Sequence, residues 1–471
     1  MSNNGQDSLT TEPRARLVGG TEYSWCKAVP GGTGIAVVAL LLSETPNLHL
    51  LQNAFHHLQI SHPILRSKLH FDTSTATFSF VTPPSSHIQI QFFDLSSTAT
   101  IISNNSDNTL TVTPYHILLE HEINKNSWST SNPETDLELL FASVYTLSES
   151  EWVLVLRLHT AACDRASAVY LLRELVKLAS DCNNNNNQEL NENNEIGSKI
   201  EDLIPNGKAN KPFWLRGMDV VGYSLNSFRL ANLSFVDCES PRISQVVRLQ
   251  MNSDETQKLL QGCESRGIKL CAALAAAGLI ATYSSENFPH EQRQKYAVVT
   301  LVDCRSLLDP VLSVHHLGFY HSAIMNTHDI SGDDKLWEVA KRCYMSFANA
   351  KNNNKHFTDM GDLNFLMGKA IDNPGLTPSS ALRTACISVF EDPVIDDHNE
   401  LYKEFGVQDF IGCASVHGVG PSVAVFDTIR NGQLDSACVY PSPLHSREQM
   451  QNLIGDMKRI LVDSCVNVED E

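Results

Sequence analysis

The sequence has no CxxC pair, no apolar run long enough for a membrane span, and no surplus of positive charge. Its twelve cysteines are scattered singly, so neither a zinc ribbon nor a thioredoxin-like redox site is expected. Several stand inside apolar runs, as in Lys269-Leu270-Cys271-Ala272-Ala273, and read as reduced, small core residues. Apart from the small-residue run at 270–281, the longest apolar stretch is GIAVVALLL, residues 34–42. It is far short of the ~20 residues that cross a bilayer. The N-terminal MSNNGQDSLTTEPRARL is polar and lacks the apolar centre of a secretory signal, which predicts a cytoplasmic protein. Without such a signal, the glycosylation sequons at Asn104 and Asn232 are taken as chance. A formal net charge of −19 repels nucleic acid and anionic membranes alike, so neither is an expected partner. Gly31-Gly32-Thr33-Gly34 lacks the Lys-Ser/Thr of a phosphate-binding loop and reads as a turn. No metal site is expected.

What is present is ample core material. Hydrophobic residues make up 42% of the 471-residue chain and charged residues 19%, enough for two or three folded units. After a tail at 1–15, strands alternate with helices. GIAVVALLL predicts a buried strand. Thr45 with Pro46 predicts the start of a helix whose face carries Leu48, Leu51, Phe55 and Leu58. Strands are also expected over 88–92, 138–147 and 151–159. The segment 181–202, DCNNNNNQELNENNEIGSKIED, is polar and of low complexity. It cannot offset its ordering entropy by burial, and it opens a linker expected to run to about residue 215. Beyond it come a strand at 244–251, a helix from Ser253, and KLCAALAAAGLIATY (269–283), apolar all round and therefore a buried helix. YAVVTLVDCR (296–305) is a strand with a polar end, and Ser446 with Gln449 forms a capping box for the last helix. The order predicts an α/β (α+β) protein of two halves, 16–180 and 216–471, joined by 181–215.

The stretch LRLHTAACDRAS (156–167) carries the chemistry. An apolar strand ends at His159, and Asp164 follows before a helix that buries Val169, Leu172, Leu175 and Ala179. A neutral imidazole at a strand end can take a proton near neutral pH. A nearby carboxylate can orient it. Asp164 can equally cap the helix, and His159 can equally be a satisfied strand-end residue. His417, in SVHGVG, is a further channel candidate, whereas His315, His316 and His321, which flank Gly318, read as ordinary loop or strand residues.

The stretch resembles the HHxxxDG or HxxxD motif of the acyltransferase superfamily. That superfamily includes chloramphenicol acetyltransferase, the condensation domains of nonribosomal peptide synthetases, the polyketide-associated acyltransferases and the plant BAHD acyltransferases. SHPILRSKLHF (61–71), GIKLCAALAAAGLIA (267–281) and VDCRSLLDP (302–310) with Gly318 resemble other superfamily segments in the right order, over most of the chain. The resemblance implies two chloramphenicol-acetyltransferase-like halves around a central solvent channel. It implies a monomer that transfers an acyl group from acyl-CoA, a co-substrate rather than a bound cofactor, to a hydroxyl or amine of a small acceptor. CoA is preferred to a carrier protein because the sequence holds no carrier or adenylation segment. The residues that would bind it are not identifiable. Asp164 would pair with Arg305 to fix the loop.

Three departures stand out. Counting back from Asp164, the motif histidine falls on Thr160, whose hydroxyl does not ionise near neutral pH. His159 is one residue too early, and neighbours on a strand point to opposite faces. For His159 to be the general base, a bulge or one-residue shift must turn it into the channel. Arg165 stands where the motif has glycine. The BAHD DFGWG loop is reduced to DFIG (409–412), and neither it nor GVGPS (418–422) is assigned a role. The alternative is a degenerate or repurposed member that binds a small molecule, or catalyses another reaction, in the same channel.

Overall fold

The computed structural model describes residues 14–466, except 87, 106–111, 130–135, 181–195, 213, 215–216, 218–221, 223–228, 287, 290–291 and 397–398. The Asn-rich stretch to residue 195 lies outside the described residues, as does most of the expected N-terminal tail. Residues 14 and 15 do not belong to that tail, because Arg14–Leu17 is a strand paired antiparallel with Thr77–Thr82.

Three sheets organise the described chain, and helices pack on them in a mixed α/β arrangement. A small antiparallel sheet orders Arg14–Leu17, Thr77–Thr82, Lys68–Asp72 and Leu137–Glu138. A five-stranded sheet orders Val407–Val416, Thr33–Leu42, Trp152–His159, Leu140–Thr146 and Ile90–Phe93. The largest sheet runs His321–Ile330, Gln294–Asp303, Arg383–Phe390, Gly420–Arg430, Gln433–Ser442 and Ile243–Gln250, with Val394–Asp396 beside Gly420–Arg430.

The expected split near residue 215 is crossed. Val407–Val416 comes from the second half but pairs antiparallel with Thr33–Leu42 in the first-half sheet. The sequence signal for this strand is an ordinary one, and nothing local says which sheet it joins. The end of the expected linker also docks. Ile200 is fully buried with Val302 and Tyr320, and Glu201 accepts hydrogen bonds from the backbone and hydroxyl of Thr21.

Local chemistry explains the helices and corrects three expectations. Leu48–Ser61 is capped by Asn47, not Thr45: the Asn47 side chain accepts from the backbone N–H groups of His49 and Leu50 at 3.1 and 3.2 Å. Leu51, Phe55 and Leu58 are buried as expected, but Leu48 is exposed. Only half of the Ser446–Gln449 box forms. The Gln449 N–H donates to Ser446 Oγ, whereas its side-chain amide donates to the Ser234 carbonyl. Leu270–Ser285 is buried on all sides and forms the centre of the second-half core. Among the described residues no single helix is long and apolar enough to cross a membrane.

Candidate active site

The strand Trp152–His159 is buried on both faces, and its two-residue alternation decides the site. Leu154, Leu156 and Leu158 face a core formed with the helix Arg165–Ser180. Val153 and Val155 face the opposite core, with Trp128 and Tyr145. Pairing with Thr33–Leu42 runs from Leu42↔Trp152 to Ile35↔His159 without a shift. His159 therefore stays on the Val153 face. Its ring meets Trp128 edge-on at 5.2 Å, and Nδ1 accepts from the Ala161 N–H. It is fully buried, and burial pushes its pKa down to about 3. The bulge required to bring His159 into the channel is absent, so the expected base does not reach it.

Thr160, the next residue, faces the other way. It lines a cavity of about 420 Å³ between the five-stranded and the largest sheets. Its hydroxyl donates to the Gly34 carbonyl at 2.6 Å. The proton is thus committed, and the oxygen is left as an acceptor only. Gly34 is required here: its φ is +93°, and a Cβ would lie 2.8 Å from Trp25 and 3.2 Å from Thr160 Oγ1. Trp25, Phe319, Phe390 and Phe426 add an aromatic wall, and Leu363, Leu366 and Met367 close the cavity from the helix Met360–Asp372. Such a lining suits a mainly apolar small molecule.

Asp164 caps the helix and pairs with Arg305, and it does not orient His159. Its Oδ1 accepts from the Ser167 N–H at 2.8 Å, capping the helix Arg165–Ser180. It also pairs with both Nη atoms of Arg305 at 3.0 Å. The Tyr320 N–H donates to Oδ2 at 2.8 Å, and Arg305 adds a bond to Ser167 Oγ at 2.8 Å. Burial alone would raise the carboxyl; the Arg305 guanidinium and His321 outweigh it and hold Asp164 well below the usual carboxylate range. The turn of the first half is thus clamped by a loop of the second.

Arg165 fills the place of the motif glycine with a partly buried cation. It pairs with Asp427 at 3.2 Å, bonds the Asp427 carbonyl, and lies 4.2 Å over the Phe390 ring. His417 does not line the cavity. Its Nδ1 meets Ser244 Oγ at 3.0 Å, and its ring occupies the space a Cβ at Gly32 would need. Asp409 of DFIG pairs with Arg248 and Arg430 on the second-half sheet, while Gly412–Val416 and Val419–Pro421 contribute to the cavity wall. The residue missed at the sequence level is His321. It lines the cavity, with Nδ1 3.0 Å from Asp164 Oδ2. The available signal was its place at the head of a strand whose residues 321, 323 and 325 share one face. Among the described residues no cluster could hold a metal ion.

No protein-family model and no curated protein matches the chain by sequence. Solved structures do match it over nearly its full length. A trichothecene 15-O-acetyltransferase from Fusarium sporotrichioides superposes with a TM-score of 0.73 at 11% identity, covering 96% of this chain and 95% of that one. The epimerization domain from the third module of tyrocidine synthetase B gives 0.62 at 13% identity, with 98% of each chain covered. Polyketide synthase associated protein 5 from Mycobacterium tuberculosis gives 0.59 at 17% identity, covering 97% and 99%. The chain has the chloramphenicol acetyltransferase-like fold of the acyltransferases and condensation domains. Within that fold, Asp164 and Arg305 stand together as the resemblance implies, Thr160 takes the cavity-facing motif position, and His159 is turned away.

Proposed function

We propose that the protein is an acyltransferase-type enzyme whose channel binds a mainly apolar acceptor. It transfers an acyl group from acyl-CoA to a hydroxyl or amine of that acceptor without His159. The observation that carries this is the cavity between the halves, lined mainly by apolar side chains, with Thr160, Cys163 and Asp164 of the motif turn in its wall. The fold shared with an acetyltransferase along 96% of the chain supports acyl transfer as the chemistry. The test is thiol release from a panel of acyl-CoAs with and without apolar alcohols and amines. Acceptor-dependent release is expected from the wild type, and His159→Leu should match it within about twofold, since the imidazole does not meet the cavity. No acceptor-dependent release by the wild type would remove acyl transfer as the activity.

Thr160 at the motif position favours a second account, in which the channel only binds its small molecule. If Thr160→His creates acyl transfer where the wild type has none, this second account is the correct one.

A further inference from the structure

The cavity does contain an imidazole, and it comes from the second half. His321 begins the strand His321–Ile330, paired in register with Asp303 of the neighbouring strand. Its side chain is 7% exposed. With Ala323 and Met325 it forms the strand face that lines the cavity, as the two-residue period requires. The ring meets Phe390 edge-on at 5.9 Å and lies 6.2 Å from Phe319. Both rings belong to the same wall and limit its rotation.

The two nitrogens face different surroundings. Nδ1 is sealed from solvent and lies 3.0 Å from Asp164 Oδ2, an ion-pair distance off the line of a hydrogen bond. Such contacts tighten when substrate is bound. Nε2 is not sealed, and among the described residues it takes no hydrogen bond. An ionised carboxylate only accepts, so the nitrogen facing Asp164 is the one that carries the proton. The lone pair is then on Nε2, on the open side of the ring. Asp164 is the carboxylate best kept ionised here, since Arg305 neutralises it from behind at 3.0 Å. Arg165, also on this wall, pairs with Asp427 at 3.2 Å.

We propose that His321, positioned by Asp164, is the general base of the channel in place of the histidine the motif lacks. This rests on acyl transfer being the activity. Nε2 takes the proton of the acceptor hydroxyl or amine. The acceptor's lone pair forms the new bond to the thioester carbonyl carbon, and the carbon–sulfur bond breaks. The departing thiolate takes the proton back from the imidazolium, which leaves a free thiol and a neutral ring. Catalysis thus draws its base from one half and its carboxylate from the other.

The experiment combines modification of the intact protein with one variant. Diethyl pyrocarbonate, mapped by mass spectrometry, should carbethoxylate His321 and leave His159 untouched. Decanol in the channel should slow that reaction, and the modified protein should lose acceptor-dependent thiol release. His321→Gln should lower kcat about 100- to 10,000-fold with little change in KM. Unchanged release from folded His321→Gln overturns the assignment and leaves acyl transfer standing. If the variant does not fold, full release after carbethoxylation of His321 overturns it equally. No release by the wild type removes acyl transfer and the role of His321 together.

Discussion

The imidazole of His159 is neutral because of where it sits, and that has a consequence for stability. Buried against Trp128, it protonates only near pH 3, whereas in the unfolded chain it protonates near pH 6.5. Between those values the unfolded state binds more protons. Stability is therefore full above about pH 6.5 and falls as pH drops toward 3, by roughly 1.4 kcal/mol per unit from this one group. His159→Leu should flatten that part of the urea-unfolding profile while leaving turnover unchanged. The reverse is expected of Gly34→Ala. Its φ of +93° and the nearness of Trp25 and Thr160 make a methyl group costly, by more than about 1 kcal/mol. A methyl group there should also narrow the cavity, which apolar-ligand binding would reveal. The motif spacing made Thr160 and His159 legible as an anomaly, and the two-residue period was enough to say that only one of them could face the channel. His321 was not legible, because its partner Asp164 is far away in sequence and only the fold brings them together.

Among the elements, the helix Arg165–Ser180 depends most on a single residue. Asp164 caps it, pairs with Arg305 and accepts the Tyr320 N–H. Arg305→Met leaves that buried carboxylate without its cation. The cost expected on breaking such a buried pair is about 3–5 kcal/mol, measurable by urea unfolding. The sign with pH follows from the depressed folded pKa. The contribution of Asp164 is present above its unfolded pKa, near 4, and is lost as pH falls below that. The acid end of the stability profile should therefore flatten in the Arg305→Met variant. The pairing of Asp164 with Arg305 followed from the family resemblance, and the buried helix Leu270–Ser285 followed from its composition alone. The destination of Val407–Val416 did not, since a strand's sequence records its own alternation and not its partner.

On the scale of the whole molecule, the halves are joined by more than the linker. Val407–Val416 completes the first-half sheet, Arg165 reaches Asp427, and the Arg305 loop clamps the Asp164 turn. Unfolding followed by fluorescence and by circular dichroism should therefore coincide in one transition, and two separated transitions would contradict this coupling. The overall two-halved α/β plan was legible from the order of elements.

Thiol accessibility reads directly which of two neighbouring residues faces the channel. In separate His159→Cys and Thr160→Cys variants, alkylation of the folded protein is mapped by mass spectrometry. The thiol introduced at 160 should react and be protected by an apolar ligand, while the one at 159 should react only on unfolding. A thiol at 159 that reacts as readily as one at 160, and is protected by the same ligand, would contradict the burial of residue 159 and the channel-facing place of residue 160.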